Sequence, residues 1–458
     1  MKSRPMWRVL CVVSFLVVAS LPAKNALAEK IVAKDGDWTV FIDGRQGAFV
    51  SAVKGDGFPQ ATSVMGHDST GALVVVGSIT PKGGGESEAA SEQGLVPGTA
   101  ANPQYTQGTI ERMRVRTGMI SDTLGFGVRG PVTESTTVKS YMQIWAWVES
   151  AVQEKNQINT ADVRQAYVQL EGPWGSLLVG RSRGLFSRGA TDIDVLYGHG
   201  YGVGYPGAID AAGGPSQGQI GFGLLGSGFA AGVVYATPRL AGFQLTTGAF
   251  DPVHLQGAWP RTKWARPEGE LTFERPIADL GKVVIFGNGT YQRAYKNGYA
   301  GDGPSYTAAK GVNYGGRLEL GPIHLGLSGL YGYGLGLNYA LEVSDASMDL
   351  ATNMRKSDGY YAQAQVAVGK LDLMASWGIT RIFLTNYDNT KIVSSLDPTV
   401  SYYQFSIIKH QEGISCGGVY HVKPWLHVDV DVFRADFAWF LGEKQVLYIA
   451  NSGMLFTW

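Results

Sequence analysis

The sequence predicts an all-β protein whose antiparallel strands close into a transmembrane β-barrel. Three observations predict it: many segments alternate apolar and polar residues, glycine accounts for 63 of 458 residues, and only 17% of residues are charged. The mean hydropathy is −0.02. A membrane strand needs only about 10 residues with every second one apolar, so a barrel can span a bilayer while the average sequence stays neutral.

The first 28 residues have the pattern of a cleaved export signal. Lys2, Arg4 and Arg8 form a positively charged start, residues 9–19 are apolar, and small residues at 26 and 28 suit a cleavage site. The apolar run is shorter than the about 20 residues that a membrane helix needs. We therefore expect a signal peptide at 1–28 and a barrel at 29–458.

Composition argues against several classes of function. Removing residues 1–28 takes four of the 38 basic residues and none of the 38 acidic ones, which leaves a formal charge of −4. This balance, without a clustered basic face, does not indicate nucleic acid as a partner. Cys416 is then the single remaining cysteine, so no internal disulfide is expected. The histidines stand in no recognisable nucleophile motif, so we expect no enzyme activity, no metal and no other cofactor.

Period-two alternation also predicts which side chains face the lumen. In residues 426–432 the aliphatic side chains fall on one face and the polar ones on the other, and residues 361–368 repeat this pattern. One such strand would also suit a soluble sandwich, but the repetition favours a barrel. We expect Val428, Val430 and Val432 to face lipid. The predicted lumen-lining set is Gln363, Gln365, His427, Asp429 and Asp431.

Aromatic residues and loops complete the barrel pattern. Tyr141, Trp145 and Trp147 gather near a segment end, as in the interfacial girdles of membrane barrels. Short polar turns alternate with long stretches rich in Gly, Ser and Pro, which predicts short turns at one end of the barrel and long loops at the other. The long loops are predicted at 54–108, 184–219, 296–312 and 342–358, with the first one partly disordered over 81–103.

Two neighbouring segments form a two-part sequence motif. Residues 164–170 read Arg-Gln-Ala-Tyr-Val-Gln-Leu, and residues 174–181 read Trp-Gly-Ser-Leu-Leu-Val-Gly-Arg. Leu-Gly-Phe at 124–126 precedes them, and Tyr-Ala-Thr-Pro at 235–238 follows. In order and spacing these pieces resemble the general Gram-negative porin family. The resemblance extends over about residues 37–250 and is thin beyond them.

The resemblance implies a homotrimer of barrels with about 16 strands in the outer membrane of a Gram-negative bacterium. It implies a water-filled channel for passive diffusion of small hydrophilic solutes and ions, with a third outer loop folded into the pore. Residues 184–219 stand where that loop belongs. Its acidic residues, Asp192, Asp194 and Asp210, would face a basic wall and set up a transverse field that sorts solutes by charge.

The basic wall follows from the resemblance only in part. Arg45 and Arg164 match positions where the family commonly has lumen bases, and Arg129 is assigned to the same wall. The arginine that the family has just before Leu-Gly-Phe is Thr123 here, and this departure weakens the expected field.

Three more arginines, at 112, 114 and 116, share one strand face. Counting by twos places them with Leu124 and Phe126, which look lipid-facing. Either a bulge near Met119 and Ile120 reverses the phase, or the arginines meet lipopolysaccharide phosphates above the hydrocarbon. We favour the bulge, which adds Arg112, Arg114 and Arg116 to the basic wall.

Other partners and functions follow from the remaining features. The chain ends in an apolar strand with Trp458 at its terminus, which the barrel assembly machinery would read, and membrane lipid and lipopolysaccharide would surround the barrel. The runner-up function is a substrate-selective channel for phosphate or sugar, served by the three arginines or by Trp145 and Trp147. An outer-membrane enzyme and a secreted β-rich adhesin are weaker alternatives.

Overall fold

A computed structural model shows one antiparallel sheet that closes on itself. The structure describes residues 29–57, 63–67, 73–78, 95–96, 106–116, 122–146, 162–195, 219–253, 264–295, 306–341, 347–349, 352–389, 408–440, 442 and 444–458. The first strands are β1 Lys30–Asp35, β2 Trp38–Asp56, β3 Ser63–His67, β4 Leu73–Ser78, β5 Leu95–Val96, β6 Thr106–Gln107, β7 Thr109–Arg116, β8 Asp122–Thr133, β9 Thr136–Ala146, β10 Asp162–Gly172 and β11 Gly175–Arg183.

Helix α1, Arg188–Ile193, comes next, and a 3-10 turn, Ala278–Leu280, lies between β14 and β15. Among the described residues, no helix is long and apolar enough to cross a membrane. The remaining strands are β12 Phe229–Ala236, β13 Phe243–Phe250, β14 Arg266–Ile277, β15 Gly281–Tyr295, β16 Tyr306–Leu320, β17 Ile323–Tyr333, β18 Lys356–Val368, β19 Leu371–Phe383, β20 Ile408–Lys423, β21 Leu426–Trp439 and β22 Lys444–Thr457.

The barrel has 16 strands, as predicted. β7 and β8 follow one another along the same edge of β2 and together fill one strand position. The strands from β9 to β22 then pair in chain order, and β22 returns to the other edge of β2 to close the sheet. β1 pairs with the first residues of β2, and the pairs β3–β4 and β5–β6 form two small separate sheets. The predicted fold class is confirmed.

Alternate side chains along each strand point outward and inward. On β21, Val430 is 54% exposed, whereas Asp429 and Asp431 are 0% and 1% exposed. An apolar outward face is what a barrel surrounded by lipid tails requires. Its exposed aliphatic residues include Val40, Val179, Val233, Leu271, Ile285 and Leu327.

The two ends of the barrel differ, as the spacing of turns predicts. At the short-turn end, Gly172 pairs directly with Gly175, and Gly321 has φ +55°, a left-handed conformation that favours glycine. At the long-loop end, two predicted loop bounds are wrong, because β16 begins at Tyr306 and β18 at Lys356. Backbone pairing with β15 and β17 overrides the weak strand propensity of these Gly- and Lys-containing stretches.

Other predictions concern segments that the structure covers only in part. The export signal at 1–28 lies outside the described residues and stays a prediction. Residues 54–56, placed in the first long loop, belong to β2. Within 81–103, the described residues are Leu95–Val96, which pair with Thr106–Gln107.

Candidate functional site in the lumen

The loop that follows β11 enters the barrel and is anchored to the wall at its start. The backbone amides of Leu185 and Phe186 donate to one carboxylate oxygen, Glu268 Oε2, at 2.7 and 3.0 Å. The Ser187 amide donates to Asn288 Oδ1 at 2.9 Å. Glu268 and Asn288 occupy inward positions on β14 and β15. Hydrogen bonds to a charged group contribute about 1.5–3 kcal/mol each, so this anchor holds the loop inside.

Helix α1 continues the anchored segment across the lumen. Ile193 at its end packs with Tyr361, an inward and fully buried residue of β18. The Val195 amide donates to Gln363 Oε1 on the same strand at 2.9 Å. The loop therefore crosses from β11 to β18 inside the barrel.

The returning end of the loop is fixed to the neighbouring strands. Gln219 Nε2 donates to Ser376 Oγ on β19 at 2.5 Å. The Phe222 ring packs edge-on against Phe433 on β21, with 5.1 Å between ring centroids. The loop runs on to Gly228, beyond its predicted end at Gln219, because this return segment stays inside before β12 begins.

Two glycines permit this close approach. Gly221 has φ +86°, and a Cβ there would lie 2.2 Å from Asn338 Oδ1. Gly223 has φ +99°, and a Cβ would lie 2.1 Å from the carbonyl oxygen of Tyr360. Any side chain would strain the backbone and clash, so glycine is required at both positions.

A second loop, residues 334–341, follows β17 and also enters the lumen. The Gly226 amide donates to the Asn338 carbonyl at 2.8 Å, and the Ala340 amide donates to the Gly226 carbonyl at 3.0 Å. Leu335 and Leu341 are buried in the same cluster as Phe186 of the first loop. The two loops thus form one packed body along the β14–β21 side, a feature that the sequence did not predict.

A buried ion pair ties the residue before β18 to the segment after β19. Arg355 Nε and Nη2 donate to the two oxygens of Asp388 at 2.8 and 2.9 Å, and Nη1 donates to the Met348 carbonyl at 2.7 Å. The Arg355 and Asp388 side chains are 0% and 1% exposed. We call this pair the loop latch. Burial, and then the charges of Asp349 and Asp388, raise the pKa of the nearby Tyr387 hydroxyl.

The acidic loop residues have separate surroundings. Asp192 forms an ion pair with Arg183 at the loop start. Asp194 is buried, and its carboxylate accepts from the Gln219 amide at 2.9 Å and from the Tyr361 hydroxyl at 3.3 Å. Asp194 therefore clips the two ends of the loop together. The third predicted acid, Asp210, lies outside the described residues.

The predicted basic residues lie on the opposite side of the lumen. Arg45 is 5% exposed at an inward position of β2. Arg164 sits at a register shift of β10, pairs with Asp162 at 2.6 Å, and has its guanidinium 4.8 Å from the Trp145 ring centroid. The structure places both on the β2–β10 side, whereas the described loop is anchored mainly to β14–β21.

Arg129 lies near the short-turn end and has a basic neighbour that the sequence analysis missed. Arg129 Nη1 pairs with Glu29 at 2.6 Å, and Lys139 Nζ pairs with the same carboxylate at 2.9 Å. The Lys139 ammonium also lies 4.9 Å from the Phe41 ring centroid. Period-two counting back from Tyr141 would have found Lys139 on the same face.

The register of β7 and β8 bears on the three further arginines. Arg116 pairs with Phe49, and Thr123 pairs with Arg45. Six residues of sequence, 117–122, therefore separate the two pairs on the β7–β8 side, whereas three residues, 46–48, separate them on β2. Three extra residues, an odd number, reverse the alternation. This backbone register agrees with the bulge alternative, since Phe49 is an inward residue. The side chains of Arg112, Arg114 and Arg116 lie outside the described residues, and their role stays a prediction.

The predicted lumen set occupies the inward face of β18 and β21. Gln363 and His427 are both 7% exposed, and Gln365 is half-buried. His427 Nδ1 lies 2.7 Å from His421 Nδ1, whose Nε2 lies 2.9 Å from Asp372. Among the residues that the structure describes, no group of three or more His, Cys, Asp or Glu side chains could hold a metal ion.

Two assignments to the lipid-facing surface are wrong. Tyr141 and Trp145 were assigned to the interfacial girdle, but they are 8% and 6% exposed and lie at inward positions of β9. The Tyr141 hydroxyl donates to Asp43 Oδ1 at 2.9 Å. A position near a strand end does not show which face a side chain is on. The alternation of inward and outward positions along the strand does. Trp147 lies outside the described residues.

Comparison with known proteins places the chain among channel proteins. The family model described as Gram-negative porin matches residues 14–406. No curated protein matches the chain at a significant level.

Two solved structures are similar to the whole barrel. The outer membrane channel DcaP of Acinetobacter baumannii has a TM-score of 0.61 and 10% identity, covering 94% of this chain and 100% of that one. An anion-selective porin from Comamonas acidovorans has a TM-score of 0.53 and 12% identity, covering 92% and 100%. At these identities the likeness shows the fold alone.

Proposed function

Since the chain belongs to the Gram-negative porin family and is an outer-membrane diffusion channel, we propose that solutes pass between its inward-folded loop and the β2–β10 wall. The family and the fold are those of channels, not enzymes. The observation that carries the proposal is the loop after β11, which is anchored inside the barrel at both ends. A loop held there narrows the water-filled space on the opposite side.

Charges along this passage would sort ions. The wall carries Arg45, Arg164, Arg129 and Lys139, and the loop carries the half-exposed Asp192. The physiological Debye length is about 8 Å, so charges across a narrow gap are only partly screened. Loop acids and wall bases would then act on the same solute.

We expect the channel's ion selectivity to follow these charges. Asp192→Asn should shift selectivity toward anions, Arg45→Gln or Arg164→Gln should shift it toward cations, and the same shift to anions is expected of Asp210→Asn. Shortening the loop should raise single-channel conductance. Reversal potentials under a salt gradient in planar bilayers measure selectivity directly.

A matched control removes one positive charge from the outer face. Arg434, on β21, is exposed on the lipid-facing side, so Arg434→Gln should leave the reversal potential unchanged. Unchanged selectivity in the Arg45 and Arg164 variants, with unchanged conductance after loop shortening, would mean that the constriction lies elsewhere.

A substrate-selective channel is the second candidate. The observation that favours it is the cluster of Trp145, Phe229 and Arg164, in which the two rings meet edge-on with centroids 5.5 Å apart and the guanidinium lies within 6 Å of both ring centroids. An aromatic surface next to a cation suits a sugar or a phosphate. Concentration-dependent block of conductance by either solute would support this candidate over simple diffusion.

We also propose that three copies of the chain associate, as the family resemblance implies. The scarcity of large residues from Gly221 to Gly232 predicts a lipid-exposed face that contacts another subunit, but residues 221–227 lie buried inside the barrel and cannot form that contact. We expect cross-linking in mild detergent to give a species of three barrels. Monomers at every protein concentration would contradict the proposal.

A further inference from the structure

A row of alternating aromatic and lysine residues crosses the outer surface near the long-loop end. Backbone pairing places its members directly opposite one another on five successive strands, from β15 to β19. We call it the lysine–aromatic row; it consists of Tyr291, Lys310, Tyr333, Lys356 and Phe383.

The two lysines lie over aromatic rings. Lys310 Nζ is 5.6 Å from the Tyr333 ring centroid, and Lys356 Nζ is 4.6 Å from the Phe383 ring centroid. Neither lysine forms an ion pair with any residue in the described part of the chain. Each ammonium therefore has a ring on one side and no carboxylate from these residues to balance its charge.

The neighbouring arginine shows the contrast. Arg381, two residues before the row on β19, forms two hydrogen bonds to Asp358 at 2.7 and 3.0 Å. Its charge is balanced within the protein. Lys310 and Lys356, in contrast, lie over aromatic rings on the outer face and have no such carboxylate partner among the described residues.

The row lies at the height of the lipid headgroups. β17 runs from Ile323 at the short-turn end to Tyr333 in the row. At a rise of about 3.3 Å per residue and a tilt of about 40°, this strand climbs about 25 Å, the height of the apolar band of such barrels. Ile323, Leu325 and Leu327 on the same face are exposed aliphatic residues, so the row marks the outer edge of the hydrocarbon.

An open groove of about 510 Å³ lies directly below the row, on the outer face of β14–β17. Gly269 and Gly289 pair with each other and leave its floor without side chains. Val312 and Tyr331 line the groove beside these glycines, and Lys310 stands at its upper edge. The groove therefore runs from a cation at headgroup height into the hydrocarbon region.

We propose that the row and the groove bind the phosphorylated glycolipid of the outer leaflet, lipopolysaccharide, with phosphate at Lys310 and Lys356 and an acyl chain in the groove. Lysine binds phosphate through charge-assisted hydrogen bonds. An acyl chain is flexible and apolar, so its burial in the open groove between the strands is favourable. A zwitterionic phospholipid has no net charge to balance the two ammonium groups.

Native mass spectrometry of the purified full-length barrel tests this with three probes: lipid A, dephosphorylated lipid A and phosphatidylglycerol. We expect lipid A to be retained best. Lys310→Met combined with Lys356→Met should weaken lipid A retention roughly tenfold or more. Lys423→Met, at an exposed lysine of the short-turn end, is the matched control and should leave retention unchanged.

A second variant tests the groove separately. A Cβ at Gly289 meets the nearest other atom at 3.5 Å, so Gly289→Leu fills the groove without straining the backbone. It should weaken lipid A retention and leave folding, judged by heat-modifiable migration in gels, unchanged. Equal retention of dephosphorylated lipid A or of phosphatidylglycerol would overturn the proposal, as would full retention by the double lysine variant.

Discussion

Replacing Val430 with arginine should lower the free energy of unfolding by about 2–4 kcal/mol, because the charge would enter hydrocarbon near the middle of a membrane strand. Val430 is 54% exposed on the outer face of β21, between Asp429 and Asp431 on the lumen side. The variant should assemble poorly, and its folded fraction can be read from heat-modifiable migration and from urea titration in lipid vesicles.

The adjacent position gives the matched control. Asp431→Val places an apolar side chain in the lumen, where no lipid contact is lost, and should assemble nearly as the parent does. If the Val430 variant assembles normally while Asp431→Val fails, the assignment of the two faces of β21 is reversed. A one-residue slip in register would produce that outcome, because it moves every side chain of a strand to the other face.

The loop latch carries the other large effect. Arg355→Met removes one partner of a fully buried ion pair and leaves the Asp388 charge uncompensated, which typically costs about 3–5 kcal/mol. We expect this destabilisation to affect the outer loops more than the barrel. We therefore expect rapid proteolytic cleavage around residues 342–351, with the sheet still resistant.

Two comparisons separate burial from charge. Arg381→Met breaks an ion pair whose arginine is 43% exposed, so its effect should be about 0–1 kcal/mol. Replacing both latch partners, as Arg355→Met with Asp388→Leu, should restore much of the protection, since no uncompensated charge remains. Equal protease sensitivity of the Arg355 and Arg381 variants would contradict a structural role for the latch.

Local alternation was sufficient to predict the sheet and its faces. The parity of Asp429, Val430 and Asp431 is a property of one short segment and needs no knowledge of distant contacts. The start of the inward loop was predicted from the motif ending at Arg181. Its end was not, because residues 219–228 are fixed by partners such as Ser376 and Phe433, far away in the chain.

The features that the sequence analysis missed depend on tertiary contacts. Trp145 was assigned to the membrane interface because aromatic residues suit both an interface and a lumen wall, and its composition-based assignment ignored parity. The loop at 334–341 is a short Gly- and Leu-containing stretch with no pattern of its own. It enters the lumen because Gly226 offers it a backbone partner. Whether Arg112, Arg114 and Arg116 face the lumen or the lipid depends on the number of residues between β7 and β8.

The pairing that closes the barrel also sets the timing of its assembly. The Val446 amide donates to Asp56 Oδ2 across 390 residues of sequence, and Gly44 and Trp458 exchange backbone hydrogen bonds at the other end of the same seam. Every neighbouring strand pair can form as the chain is delivered, but this seam cannot. Until the last strand arrives, β2 and the newest strand are unpaired edges that invite aggregation. The slow, non-local step is therefore the final one, and the nascent sheet needs protection until Trp458 reaches Gly44.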